Sequence, residues 1–177
     1  MIRFAAFLRG INVGGHIVKK EKLQEAFISL GFQNVVTYKQ SGNVIFETST
    51  NIEEIKSKAE SKLQSMLGYN IAVFLRTIPE LKSIINQEPF KGQESKGSSF
   101  LVTFLSTAQV FFPLQLPLTI PKSTVHIISA KNSEVFSVTH GGGEGALPNP
   151  FIESKLKVKA TTRNLNIIRE IVEKFGS

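Results

Sequence analysis

Apolar residues in the first half of the chain recur with the spacings of strands and helices in turn. Residues 2–8 are dominated by Ile, Phe, Ala and Leu and predict a buried central strand. From Leu23 the apolar residues recur at i, i+3, i+4 and i+7, which predicts a helix that ends at Gly31. Two short apolar runs, 35–39 and 44–47, flank a turn sequence and predict a hairpin.

The pattern continues with a second helix, a strand and a short third helix. Helical spacing over 52–66 ends at Gly68, an apolar run at 71–75 predicts a strand, and residues 78–85 predict a helix that starts around Pro79. The resulting order, βαββαβ with a trailing helix, is the split βαβ of ferredoxin-like domains. Their antiparallel strands lie in the order 4-1-3-2.

The second half of the chain repeats this order in a degraded form. Residues 88–98 are polar and rich in Gly and Ser, and they predict a linker. Beyond it the pattern predicts a strand at 100–105, an irregular or short helical piece at 108–116, hairpin strands at 125–129 and 135–139, a short helix at 151–156, a strand at 158–161 and a helix at 165–175. We therefore predict an α+β fold with two tandem ferredoxin-like (βαββαβ) subdomains, at 1–87 and 99–177. Each has an antiparallel sheet and a following helix, and the two are related by an internal duplication.

Composition limits the function more than the fold. The 177 residues carry a net charge of +7 with a pI near 9.7, which favours an anionic small molecule or nucleic acid as partner. The absence of cysteine excludes disulfides, thiolate nucleophiles and cysteine-based metal sites, and it suits a cytoplasmic protein. No apolar run has the length of a signal peptide or the ~20 residues of a membrane-spanning helix, so we predict no membrane partner.

A glycine-rich loop between the first strand and the first helix is the main candidate for a binding site. Glycine lets a ligand approach the main chain closely, and a helix N-terminus presents unpaired N–H groups that bind anions. Lys19, Lys20 and Lys22 open the helix at the positive end of its dipole, where cations are unfavourable. An anionic ligand would relieve this conflict. Alternatively, the helix starts later and the lysines are solvated.

The hairpin turn and residues 68–70 should lie beside this loop, because the 4-1-3-2 order places all three at one edge of the sheet. The predicted ligand-binding residues are Arg9, Gly10, Asn12, Gly14, Gly15, Lys19, Lys20, Ser41, Gly42 and Asn43. The turn residues have an alternative role, since Gly-Asn suits a two-residue hairpin loop without any ligand. Arg163 and Asn164 form a second candidate cluster, for which N-capping of the last helix by Asn164 is the competing explanation.

The sequence of this loop and turn resembles a known family. The segments 7–15 (FLRGINVGG), 31–32 (GF) and 37–46 (TYKQSGNVIF) are similar to the uncharacterised bacterial domain-of-unknown-function family 1697. Residues 161–164 (TTRN) are similar to its closing motif, which usually continues with Trp where this chain has Leu165. The resemblance implies a cytoplasmic α+β protein of two subdomains. It implies no activity, because the family has no established biochemical function.

Other motifs in the chain are incomplete. Gly10 and Gly15 have the glycine spacing of a Walker A loop, but His16-Ile17 replaces the Lys-Ser/Thr pair, which excludes a P-loop NTPase. The run 140–143 (HGGG) resembles the oxyanion loop of lipases, but the chain has no G-x-S-x-G nucleophile elbow. The third strand lacks the basic and aromatic run with which RNA-recognition domains stack bases on their sheet. Binding of RNA could therefore involve only its backbone, at the basic edge of the loop. The scattered histidines form no metal motif, so we predict no metal and no cofactor.

The preferred interpretation is a non-catalytic module that binds a phosphate-bearing ligand, either a nucleotide or a nucleic-acid backbone, at the glycine-rich loop. One alternative is an enzyme that uses the same edge as a phosphate or oxyanion cradle. A second is a protein-interaction scaffold that uses exposed apolar residues such as Ile11 and Val13. The sequence contains no evident acid–base pair or activated nucleophile in favour of the enzyme. It defines neither the ligand nor a protein partner.

Overall fold

The protein consists of two compact units, Met1–Leu81 and Lys82–Ser177. The structure is a computed structural model, and it describes residues 1–12, 17–39, 42–107, 112–140 and 147–177. It is a mixed α+β fold with two antiparallel sheets, as the apolar pattern predicts. None of the helices in these ranges combines the length and the apolar character needed to cross a membrane.

The first unit is built on a four-stranded sheet. Its elements are β1 (Ile2–Arg9), α1 (Lys20–Ile28), β2 (Gln33–Tyr38), β3 (Asn43–Thr48), α2 (Ile52–Leu67), β4 (Ala72–Thr77) and the start of α3 (Ile78–Asn86). The strands lie in the order β2-β3-β1-β4, and every neighbouring pair is antiparallel. This is the strand order 4-1-3-2 read from the opposite edge, so the end of β1 and the β2–β3 hairpin share one edge.

The core of the first unit lies between this sheet and helices α1 and α2. Alternate residues of β1 (Phe4, Ala6 and Leu8) belong to one buried cluster with residues of both helices. Phe46 is at its centre, with ring centroids 5.4 Å from Phe27 and 4.6 Å from Phe32. Each such buried ring contributes about 1.5–3 kcal/mol of transfer free energy, so the phenylalanines act as core residues, as their apolar spacing predicts.

The two helices of this unit end differently. Helix α2 ends at Gly68 with φ 80, as predicted. The predicted end of α1 at Gly31 is wrong, because the helix stops at Ile28 with Ser29 as its C-cap. Leu30 and Gly31 form a tighter turn whose N–H groups bond to Phe27 and Ile28. Leu30 still packs on the core, which is why the helical spacing of apolar residues runs past the helix end.

The second unit is built on a five-stranded sheet. Its elements after α3 are β5 (Ser99–Leu105), β6 (Leu118–Thr119), β7 (Val125–Lys131), β8 (Glu134–Thr139), α4 (Asn149–Leu156), β9 (Ala160–Asn164) and α5 (Leu165–Phe175). The strand order is β6-β7-β8-β5-β9, antiparallel throughout. The short strand β6 was not predicted. Of the predicted irregular or helical piece at 108–116, residues 108–111 lie outside the described residues, and 112–116 contain no helix.

The division between the units falls inside α3 rather than in the predicted linker 88–98. Phe90 gives the physical reason, because its side chain is buried and its ring lies 4.8 Å from that of Phe100 in β5. The polar composition of residues 88–98 predicts a linker, but the single buried aromatic residue Phe90 packs this segment onto the second unit.

Candidate functional site

The glycine-rich loop, the hairpin turn and residues 68–70 meet at one edge of the first sheet. The Leu8 N–H donates to the carbonyl oxygen of Gly42 at 2.8 Å. Gly42 also lies so close to Ile11 that a Cβ placed on it would be 2.5 Å from Ile11 Cγ2. A Cβ on Gly10 would lie 3.5 Å from the carbonyl oxygen of Asn70. The structure therefore brings together the segments that the strand order predicts to be neighbours.

Two asparagines form hydrogen bonds beside the loop and the turn. Asn12 has a positive φ of 55, and its Oδ1 accepts the N–H of Val18 at 2.8 Å. Asn43 is fully buried, and its Nδ2 donates to the carbonyl of Tyr38 at 3.1 Å across the base of the hairpin. Both amides therefore have structural partners, and the turn-chemistry explanation accounts for Asn43.

A cavity of ≈ 570 Å³ opens at this edge, beside the start of α1. The described residues that line it are Asn12, Ile17, Val18, Lys19, Lys20, Glu21, Leu23, Thr37, Lys39, Gly42 and Asn43. Its wall combines ammonium groups, one carboxylate, a hydroxyl and buried aliphatic side chains. This combination can hold a ligand that is anionic at one end and apolar at the other.

The first turn of α1 has an unusual N-terminus. The helix begins at Lys20, and Lys19 occupies the N-cap position without any side-chain cap hydrogen bond. Lysine has no acceptor atom, so it cannot satisfy the exposed N–H groups of the first turn. Glu21 is the acidic residue of that turn. The helix therefore does not start later, and the lysines lie at the positive end of its dipole, although all three are exposed to solvent as the alternative expects.

The structure divides the predicted site residues into three groups. Those that line the cavity are Asn12, Lys19, Lys20, Gly42 and Asn43. Those that lie outside the described residues are Gly14, Gly15 and Ser41. Arg9 and Gly10 are described but do not line the cavity. Arg9 ends β1 opposite Ala72 of β4, and strand alternation places it on the sheet face opposite to Leu8.

Sequence reasoning missed several residues of the cavity wall. Lys39 and Thr37 come from the end of β2, and Lys39 Nζ lies 5.8 Å from the ring centre of Tyr38. The hairpin pattern places Lys39 before the turn, but it does not show that this residue shares a cavity with α1. Ile11 is buried at 8% exposure, so its prediction as an exposed scaffold contact is wrong, whereas Ile17 at the cavity is 84% exposed. Val13 lies outside the described residues.

The second candidate cluster has structural contacts. Asn164 is the N-cap of α5, and its Oδ1 accepts the N–H of Asn166 at 2.9 Å, which confirms the capping explanation. Arg163 is buried, and its Nη1 donates to Thr161 Oγ1 and to the Thr162 carbonyl, both at 2.9 Å. Burial of the guanidinium lowers the pKa of Arg163 to about 10. These two hydrogen bonds tie the guanidinium to its own strand β9.

The structure also brings together two histidines that are far apart in sequence. The ring centroids of His126 and His140 are 5.3 Å apart. Within the described ranges, no group of three or more potential metal-ligating side chains occurs. The two histidines are therefore too few to form, by themselves, a metal site with three or four protein ligands.

Comparisons with known proteins agree with this fold. Residues 1–136 match the sequence profile of the family described as "Protein of unknown function (DUF1697)". No curated protein matches the chain. The solved structure of the conserved bacterial protein SP0830 from Streptococcus pneumoniae is similar with a TM-score of 0.67 at 18% sequence identity, over 100% of this chain and 99% of that one. Because the profile match covers more than half of its length, the chain belongs to the DUF1697 family of proteins of unknown function.

Proposed function

We propose that the protein is a non-catalytic module that binds a phosphate-bearing ligand, a nucleotide or a nucleic-acid backbone, in the cavity beside α1. The observation that carries the proposal is the set of lysines around the uncapped start of this helix. Lys19 and Lys20 come from the N-cap and the first residue of the helix, and Lys39 lines the same cavity from the hairpin. Anions bind at helix N-termini because the free N–H groups and the dipole both favour negative charge.

The charge of the cavity matches a phosphate group. Among the described lining residues, three lysines and one glutamate give a formal charge of +2, that is three minus one. A phosphate monoester carries about −1.5 to −2 at neutral pH. Cations at a helix N-terminus cost roughly 0.3–1 kcal/mol each when nothing neutralises them. A bound phosphate would convert this cost into a favourable interaction.

The volume of the cavity and its apolar lining favour a nucleotide over a long polymer as the ligand. A volume of ≈ 570 Å³ lies within the range of about 300–1,000 Å³ that is typical of small-molecule sites. The buried side chains of Val18 and Leu23 form an apolar part of the wall that can pack against a base or sugar. The lysines then bind the phosphate end, and Thr37 offers a hydroxyl for a polar contact.

Calorimetric titration of the full-length protein at low salt tests this proposal, with AMP, ATP, polyphosphate and a short RNA as probes. Replacing both Lys19 and Lys39 by Ala should lower the affinity at least about ten-fold, because two charge-assisted contacts are lost. The control is Lys22→Ala, which removes one positive charge, against two in the double variant, from an exposed position of α1 outside this cavity. It should change the affinity less than about two-fold. A polyanion should bind with a steep salt dependence and a mononucleotide with a shallow one.

Binding by none of the probes would contradict the proposal, as would equal losses in Lys22→Ala and in the double variant. In that event the scaffold alternative would gain support from Ile17, whose apolar side chain is exposed at the same place. Turnover of ATP in the titration cell, detected as released phosphate, would instead favour the enzyme that uses the same edge.

We also propose that the two units are ferredoxin-like subdomains derived by duplication. Corresponding contacts support this proposal. Glu60 of α2 accepts the N–H of Val73 in β4 at 2.9 Å, and Glu153 of α4 accepts the N–H of Ala160 in β9 at 2.8 Å. In each unit a glutamate of a helix thus accepts a backbone N–H of an edge strand that no neighbouring strand pairs with. Such unpaired N–H groups can otherwise form hydrogen bonds with a strand of another chain.

A further inference from the structure

We propose that His126 and His140 form a binding site for a divalent transition-metal ion of the Zn²⁺ and Ni²⁺ class. This site belongs to the second unit and is independent of the proposed nucleotide cavity. His126 lies in β7 opposite Val138 of β8, and His140 follows β8 two residues beyond Val138. The two histidines are therefore diagonal neighbours on the same face of the sheet, a separation that long side chains can still bridge.

Hydroxyl groups orient both imidazole rings. His126 Nδ1 lies 2.8 Å from Thr119 Oγ1, and His140 Nδ1 lies 3.0 Å from Ser98 Oγ and 3.2 Å from Ser95 Oγ. Metal-bound histidines have such a partner on the non-ligating nitrogen, because it fixes the tautomer and the direction of the ring. In the proposed site Nδ1–H donates to the hydroxyl oxygen, and the lone pair of Nε2 is the ligand. Neither Nε2 has a hydrogen-bond partner within the described part of the chain.

The spacing of the rings fits one shared ion. A Zn–N bond of about 2.0–2.1 Å, added to the ~1.2 Å from the nitrogen to the ring centre, puts each centroid roughly 3.2 Å from the metal. Two such centroids at a tetrahedral angle are roughly 5.2 Å apart. The observed separation is 5.3 Å. Imidazole nitrogen selects Zn²⁺, Ni²⁺ and Cu²⁺ over Mg²⁺ and Ca²⁺, and water can complete the coordination because His140 is exposed.

Titration of the tag-free full-length protein with ZnCl₂ and NiCl₂, after removal of metal with EDTA, tests the proposal. We expect one ion per chain, and His126→Ala or His140→Ala should each weaken binding at least about ten-fold, because a single imidazole is a poor chelator. The matched control is His16→Ala, which removes the third histidine of the chain and should leave the affinity unchanged. Thr119→Val should weaken binding less, through loss of the group that orients His126.

Nitrogen-15 NMR of the histidine rings gives a second readout that does not depend on a variant that folds. Added Zn²⁺ should shift the Nε2 resonances of His126 and His140 while Nδ1 stays protonated. Absence of binding at millimolar metal would overturn the proposal. So would undiminished affinity in both His126→Ala and His140→Ala, or loss of binding in His16→Ala.

Discussion

Gly42 occupies a position where both the backbone and the packing exclude a side chain. Its φ of +68 lies in the left-handed region, which costs other residues about 1–2 kcal/mol. In addition, a Cβ would lie 2.5 Å from Ile11 Cγ2 and 3.2 Å from Leu8 Cβ. Neither atom is the end of a long flexible chain, so neither can move aside cheaply. The glycine therefore serves the contact between hairpin and loop, with no ligand required to explain it.

Gly42→Ala should destabilise the protein by roughly 2–4 kcal/mol, the sum of backbone strain and overpacking. The matched control is Gly31→Ala, because Gly31 has a similar φ of +84 but nothing within 4 Å of an added Cβ. That change should cost only the backbone part, about 1 kcal/mol. Urea denaturation of both variants measures the difference. Equal losses in the two would show that the close approach to Ile11 has no energetic effect.

At the scale of single residues, sequence predicted the part of the site that depends on local chemistry. Lys19 and Lys20 line the cavity, because charge at a helix start can be recognised from the sequence. Arg9 was assigned to the site for its guanidinium, yet its register on β1 directs it to the other sheet face. Lys39 was missed because its approach to α1 depends on how the chain closes between distant segments, and side-chain type contains no information on that.

Helix α1 has an N-terminus that conflicts with its own stability, and α4, whose N-cap is Pro148, likewise has no side-chain cap. Helices α2 and α5 have asparagine N-caps, Asn51 and Asn164, whose side chains accept backbone N–H groups. Helix α1 has Lys19 at that position, and it makes no such bond. A residue that is unfavourable for stability at a cavity is expected where binding and stability compete.

Lys19→Asp should therefore stabilise the protein while it weakens nucleotide binding. An aspartate N-cap accepts an N–H of the first turn and contributes about 1 kcal/mol, and its negative charge repels phosphate. Thermal unfolding and calorimetric titration of the same variant measure both effects. Lys22→Asp is the control, since the same charge reversal inside the first turn offers no N-cap and should add only a few tenths of a kcal/mol. Unchanged or tighter binding by Lys19→Asp would argue against a phosphate at this helix end.

At the scale of elements, apolar periodicity predicted most of the strands and helices, but it misplaced the bounds of a strand whose buried residues are mainly polar. Strand β9 was predicted at 158–161 but comprises Ala160–Asn164. Its polar residues are buried because Thr162 forms hydrogen bonds with Thr103 of β5 and with Asn149 of α4. These partners are distant in sequence, so a pattern of apolar positions cannot reveal a strand that satisfies its polar groups internally.

For the whole molecule, the hairpins of the two units correspond closely but differ in their loops. Strands β2-β3-β1-β4 and β7-β8-β5-β9 have the same order. Tyr38 pairs with Asn43 across four residues, 39–42, whereas Lys131 pairs with Glu134 across only two, 132–133. In the first unit the carbonyl of Gly42, just before β3, accepts the Leu8 N–H of β1 at 2.8 Å. In the second unit the carbonyl of Ser133, just before β8, accepts the Leu105 N–H of β5 at 2.8 Å. The first hairpin is thus two residues longer than its counterpart, and of its described loop residues Lys39 and Gly42 line the cavity.

Replacing residues 39–42 by Asn-Gly should therefore preserve the first unit and weaken its nucleotide binding. A two-residue turn of this type suits a hairpin, so stability should change by no more than about 1 kcal/mol in urea denaturation. Affinity should fall at least as far as in Lys39→Ala. A larger fall would assign a contribution to Gln40 or Ser41, and an equal fall would assign the effect to the lysine alone.

Insertion of Gln-Ser between Asn132 and Ser133 is the matched control for this exchange. It lengthens the corresponding hairpin of the second unit by the same two residues and should leave nucleotide affinity unchanged, because that hairpin contributes no residue to the cavity. Loss of the cooperative unfolding transition in the shortened first hairpin would show that the two hairpins are not interchangeable. The longer turn would then be a requirement of folding, and the correspondence between the units would give no support to a binding role for residues 39–42.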